Sequence, residues 1–220
     1  MTMSEWHAGQ SDLRFTMPLQ AGQKVVVLGR AFALAESLTD AGLKALLFFP
    51  VANRDTTALG HCIAGEGEQL PVSQRSVDHV LVPEYTLDMA GWIPGEVVRI
   101  LKSGGTLGLG FFNQTSLAGW HSSRNPQGTE FIPLAGATID QWLSKNGLRL
   151  KASYGIWTNL KQPRYLVPLS HKAPVTFFFS QLFTPYSWKT ALVQPIVSLA
   201  ARLGWGQILF PHLYIVAQAI

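Results

Sequence analysis

Ser76-Val-Asp-His-Val-Leu-Val82 and Glu96-Val-Val-Arg-Ile-Leu-Lys-Ser-Gly-Gly-Thr-Leu107 decide the fold. The first is a short apolar run rich in β-branched residues, which predicts a strand from Val77 to Val82 buried on both faces. The second opens as a helix over Gly95 to Leu101, with Val97, Val98, Ile100 and Leu101 on its apolar side. Lys102 stands near the end of that helix. Ser103-Gly104-Gly105 predicts a turn, and Thr106 to Phe112 the next strand.

The same rhythm extends outward. Upstream, Lys24-Val-Val-Val-Leu-Gly29 predicts a strand, and Arg30 to Ala41 a helix stopped by Gly42. Leu43 to Phe49 predicts a second strand ended by Pro50, and Thr56 to Cys62 a short helical turn. Downstream, Ile139 to Lys145 predicts a helix closed by Asn146-Gly147. Leu148 to Trp157, Tyr165 to Leu169 and His212 to Gln218 predict further strands. Alternating strands and helices with continuous apolar strands imply an α/β protein, doubly wound, with a mostly parallel sheet covered on both faces. Lys172 to Gly206 breaks the rhythm. It carries Phe177, Phe178, Phe179, Phe183, Tyr186 and Trp188 between prolines, which predicts an aromatic helical insertion before the last strand.

Composition narrows the classes. A chain of 220 residues can bury one sizeable core, so a single domain over 1–220 is expected, with 172–206 as a cap within it. Charged residues make up only 14%, and mean hydropathy is +0.17, which excludes an intrinsically disordered chain. Twenty glycines and 13 prolines exclude a coiled coil. Net charge is +4 without a Lys/Arg-rich run, so no nucleic-acid partner is expected. Cys62 is the single cysteine, and the histidines show no metal-ligand spacing, so no disulfide and no metal are expected. Residues 1–15 have no apolar core, and prolines and polar residues interrupt Thr190 to Ile220. The expectation is a cytoplasmic protein without a membrane span, with a peripheral membrane position left open.

Gly65-Glu-Gly-Glu-Gln-Leu-Pro71 adds a more specific signal. With the two segments quoted first, it resembles the class I S-adenosylmethionine-dependent methyltransferases, in particular the small-molecule branch that includes ubiquinone- and menaquinone-type enzymes. That family shows Gly-Asp-Ala-Glu-x-Leu-Pro, then Ser-Phe-Asp-x-Val, then Arg-x-Leu-Lys-Pro-Gly-Gly. The match runs from about Lys24 to Asn113, and His212 to Gln218 looks like the family's last strand. The resemblance implies a Rossmann-like sheet with a C-terminal antiparallel strand. It also implies S-adenosylmethionine as cofactor, held by Leu28, Gly29, Phe49, Pro50, Glu66, Gly67 and Pro83. The chain departs from the family at Val27-Leu28-Gly29-Arg30-Ala31-Phe32-Ala33, where an acidic residue and Gly-x-Gly-x-Gly are the rule. It departs again at Phe48-Phe49-Pro50, where a carboxylate should receive the ribose hydroxyls.

Two functions follow from these residues. One is methyl transfer to a hydrophobic small molecule or lipid. Glu84 and His121 are the candidate bases for it, and Tyr85 would position the substrate. The other is a methyltransferase-fold pseudo-enzyme, a ligand-binding module or partner subunit, with a homo- or hetero-oligomeric contact through the aromatic cap. The damaged glycine loop favours the second, and the retained Glu66 loop the first.

Overall fold

The computed structural model describes residues 12–50, 62–65, 69–86, 89, 93–116, 119, 133–134, 136–160, 163–182, 195, 197–200, 203 and 205–220. Among them the strands are β1 (Lys24–Leu28), β2 (Lys44–Pro50), β3 (Cys62–Gly65), β4 (Val77–Val82), β5 (Leu101–Asn113), β6 (Pro133–Leu134), β7 (Leu148–Thr158), β8 (Pro163–Pro168) and β9 (His212–Ala219). The helices are α1 (Phe32–Asp40), α2 (Ile93–Ile100), α3 (Gly136–Lys145) and α4 (Lys172–Leu182).

All strands join one sheet in the order β3-β2-β1-β4-β5-β9-β7-β8, with β6 beside the end of β5. From β3 to β5 every pairing is parallel. β9 runs antiparallel to both β5 and β7, as expected of the last strand. The parallel character does not hold across the whole sheet, because β8 folds back antiparallel on β7 and makes the far edge a hairpin.

Alternation along β1 shows why both faces are buried. Val25 and Val27 face one core with Leu34 and Leu38 of α1, while Val26 and Leu28 face the other with Val97 and Ile100 of α2. Helix α1 ends as its sequence dictates: Gly42 adopts φ +81° and donates to the Thr39 carbonyl, and Leu43 donates back to Leu38. Two local expectations need correcting. Cys62 opens β3 rather than closing a helical turn, and Thr56 to His61 lie outside the described residues. Ser103-Gly104-Gly105 is not a separate turn but lies within β5, where the register against β4 shifts between Val77 and His79.

The quoted motifs turn out to hold the fold together. The Glu96 carboxylate is buried, accepts from the Leu70 amide at 2.7 Å, and pairs with the Arg99 guanidinium at 2.6 and 2.7 Å. Arg99 also donates to the Leu70 and Val72 carbonyls. Leu70-Pro71 is thereby clamped onto α2. The Arg99 hydrogen bonds and the Leu70 amide hold the Glu96 carboxyl below the usual carboxylate range against the opposing effect of burial. Asp78 ties the Lys24 amide to the Lys102 ammonium. His79 is a packed histidine: Gln23 and the Thr106 hydroxyl take its two ring nitrogens, and burial lowers its pKa.

Helix α4 belongs to the same core as the sheet. Val175 and Phe179 of α4 pack with Val197 and Phe210 against the face that α2 and α3 also cover. Phe178, Phe179, Phe210 and Trp157 form a ring cluster with centroids 5.2–6.1 Å apart. Gly155 permits it, since a Cβ there would land in the Phe210 ring. Of the cap aromatics read from sequence, Phe179 is buried, Phe178 half-buried and Phe177 exposed. Phe183, Tyr186 and Trp188 lie outside the described residues.

Candidate functional site

Parallel strands leave their carboxyl ends on one edge, and the chain's loops meet there. The register aligns Leu28 with Phe48, Pro50 with Gly65, and Val27 with Leu81. Leu28 and Gly29, the main chain of Phe49 and Pro50, and Pro83 are thereby brought to one end of the sheet. Glu66 and Gly67 follow directly on Gly65 of β3 but lie outside the described residues, as does His121. Topology thus gathers the described members of the expected cofactor set, with Glu84 and Tyr85 beside them.

Gly29 makes the turn from β1 to α1. Its φ of +101° belongs to the region that favours glycine, and its amide donates to the Phe48 carbonyl at 2.8 Å. A Cβ on Gly29 would sit 3.1 Å from the Met89 methyl. Met89 is buried, so a thioether from beyond β4 covers the bare backbone at the end of β1. Leu28 and Phe48 point into the core beside it. Sequence reasoning missed Met89, since nothing local marks a methionine as the residue that reaches across.

Tyr85 is buried, its amide donates to the Gly110 carbonyl at 2.8 Å, and burial raises its hydroxyl pKa. Its ring lines an apolar cavity of about 120 Å³ between β4, β5, α2 and α3, with Val82, Val97, Leu109, Ile139 and Trp142. Its almost wholly apolar lining suits small apolar groups. Glu84 is half-buried next to it.

No family model matches the sequence, and no curated protein matches it either. Solved structures do. A methyltransferase from Archaeoglobus fulgidus, described as dependent on the cofactor abbreviated SAM, superposes with a TM-score of 0.60 at 14% identity, over 95% of this chain and 92% of its own. A chain from the complex of the Haloferax volcanii Trm112 methyltransferase activator with a methyltransferase gives 0.57 at 20% identity, over 98% and 90%. The [4+2]-cyclase SpnF gives 0.55 at 13% identity, over 96% and 79%. The fold is that of the S-adenosylmethionine-dependent methyltransferases.

Within the methyltransferase fold, the cofactor brings an ammonium, a carboxylate, ribose hydroxyls and an adenine. Val27 and Leu28 end β1 with Gly29 directly after them, and Phe48, Phe49 and Pro50 end β2. Neither strand end offers a carboxylate, and the Met89 methyl lies beside Gly29. These residues do not match that donor set.

A second feature of this edge of the methyltransferase fold is His212, which opens β9 opposite Phe112 and Ile156 and meets the Phe112 ring edge-on at 5.4 Å. Burial pushes its pKa down to about 4. A histidine with a depressed folded pKa contributes stability that is complete above its unfolded pKa of 6.5 and is lost as pH falls toward 4. The expected loss over that window is about 3 kcal/mol. Urea unfolding at pH 7.5 and 4.5 checks it. His212→Phe should lose about that much less than the parent, and parallel losses in both proteins would refute the assignment.

Proposed function

We propose that this chain is a pseudo-enzyme of the methyltransferase fold, a module that binds an apolar ligand or a partner subunit in place of the charged cofactor. The observation that carries the reading is Met89 packed over Gly29, at a strand edge whose neighbours are Leu28 and Phe48. Charge-assisted hydrogen bonds to such a cofactor contribute about 1.5–3 kcal/mol each. Replacing their acceptors with hydrocarbon removes decades of affinity. The cavity beside Tyr85 supplies an apolar site near this edge. A fold shared with a cyclase as well as with methyltransferases does not by itself fix a reaction.

Methyl transfer to a hydrophobic small molecule or lipid is the second reading. Its support is the convergence of Gly29, Pro50, Gly65, Pro83 and Glu84 on the carboxyl edge, with the same cavity available for an apolar part of the acceptor. In that case Glu66 would meet the adenine.

Calorimetric titration with S-adenosylmethionine and S-adenosylhomocysteine separates the two. The expected result is no saturable heat up to about 1 mM ligand, the level at which binding contributes only about 4 kcal/mol. A sub-micromolar dissociation constant, lost on Glu66→Ala, would establish the second reading instead.

A further inference from the structure

The apolar cavity beside Tyr85 is compact. Its floor is the sheet: Leu107 and Leu109 share one face of β5, and Val82 of β4 is the register partner of Leu109. Its sides come from Ile93 to Val97 of α2 and from Ile139 to Trp142 of α3. Two residues of strand span about 7 Å, four of helix about 6 Å and three about 4.5 Å. The space therefore has no long axis, and its volume is about 120 Å³. An apolar cavity of about 150 Å³ holds one benzene ring.

The way in is set by the same residues. Among the described lining residues, Pro94 and Trp142 are half-buried and the others are buried. The cavity thus opens between α2 and α3, and neither Gly29 nor Met89 lines it. Its wall offers almost no polar surface, so a charged or hydrogen-bonding group placed inside would lose water without replacement.

We propose that this cavity binds a single hydrocarbon ring, the apolar end of a small molecule whose polar part stays in solvent between α2 and α3. The proposal narrows the apolar-ligand reading above and rests on it for the character of the ligand, not for the fate of the cofactor. A hydrocarbon chain end fits less well, because it must fold to enter a space without a long axis and loses rotamer freedom there.

Methyl NMR of the full chain, titrated with benzyl alcohol and with 1-hexanol, tests this. The two probes carry the same hydroxyl, one on a ring and one on a chain. Benzyl alcohol is expected to bind saturably with a dissociation constant of about 1 mM, well inside the ceiling for a ligand of its size. 1-Hexanol should bind at least about threefold more weakly. The shifts should centre on the methyls of Val97, Leu109 and Ile139. Ile139→Phe should weaken benzyl alcohol at least about tenfold by filling the space, without lowering the melting temperature. Since a larger side chain there can disturb folding, Val97→Leu is the companion variant, expected to weaken binding about threefold. No saturable shift up to about 20 mM, shifts centred elsewhere, a chain bound as tightly as the ring, or unchanged affinity in the filling variants would each overturn the proposal. Tight binding of S-adenosylhomocysteine beside intact ring binding would refute the pseudo-enzyme reading alone. Absence of ring binding in a protein that also ignores the cofactor would refute this proposal alone.

Discussion

Gly110→Ala is expected to cost about 4 kcal/mol and to lower the melting temperature by roughly 8–16 °C. Gly110 lies in β5, where a Cβ would land on the Pro83 carbonyl oxygen and come 2.8 Å from a Leu160 methyl. The first obstacle is backbone, which cannot rotate away as a side chain can. The close approach has a purpose in the site, because the Gly110 carbonyl receives the Tyr85 amide at 2.8 Å and so fixes the Pro83-Glu84-Tyr85 loop. Differential scanning calorimetry measures the loss. Gly95→Ala is the control, since α2 has open space there and no unusual φ; it should be neutral or stabilise by up to about 1 kcal/mol. Equal melting of Gly110→Ala and the parent would mean that the loop gives way freely.

Asn113→Ala is expected to cost about 3 kcal/mol. Asn113 is fully buried at the end of β5. Its side-chain amide donates to the Gln207 carbonyl at 2.8 Å and the Phe210 carbonyl at 3.0 Å. Its carbonyl oxygen accepts from the amide and hydroxyl of Thr115. Alanine deprives the carbonyl of buried Phe210 of this donor, leaves the Gln207 carbonyl with the Phe210 amide, and opens a small void. Asn113→Asp should be at least as damaging, because it turns a carboxylate toward those carbonyls. Urea titrations at pH 7.5 decide it. A loss under about 1 kcal/mol for alanine, or an aspartate variant milder than alanine, would show that the hub does not hold the approach to β9.

What sequence could tell here depended on how far each residue's partner lies along the chain. Reasoning from immediate neighbours works where burial is uniform, as in Lys24–Leu28 and Val77–Val82, whose apolar runs need no distant information. It fails for β3, four residues long, because so short a segment becomes a strand only through its pairing with β2. It fails at Gly104 and Gly105, where glycines that punctuate most chains sit inside a bulged ladder. The edge that gathers the candidate site was legible, since strand order places Gly29, Pro50 and Pro83 together. Its chemistry was not. Met89 over Gly29, His212 against Phe112 and the Asn113 hub each depend on residues far away in sequence. Glu96 and Arg99 belong to the stretch that resembles the family, and their actual work is to clamp Leu70 and Val72.

The position of β9 carries a consequence for how the protein is made. It follows every other strand in chain order, yet it lies between β5 and β7, and five consecutive residues, Leu213 to Ala217, are buried there. During synthesis β5 and β7 therefore emerge with a gap between them, each presenting an open edge to other chains. The nascent sheet stays split until its central strand arrives, which makes that interval the period of greatest exposure to aggregation and to chaperones.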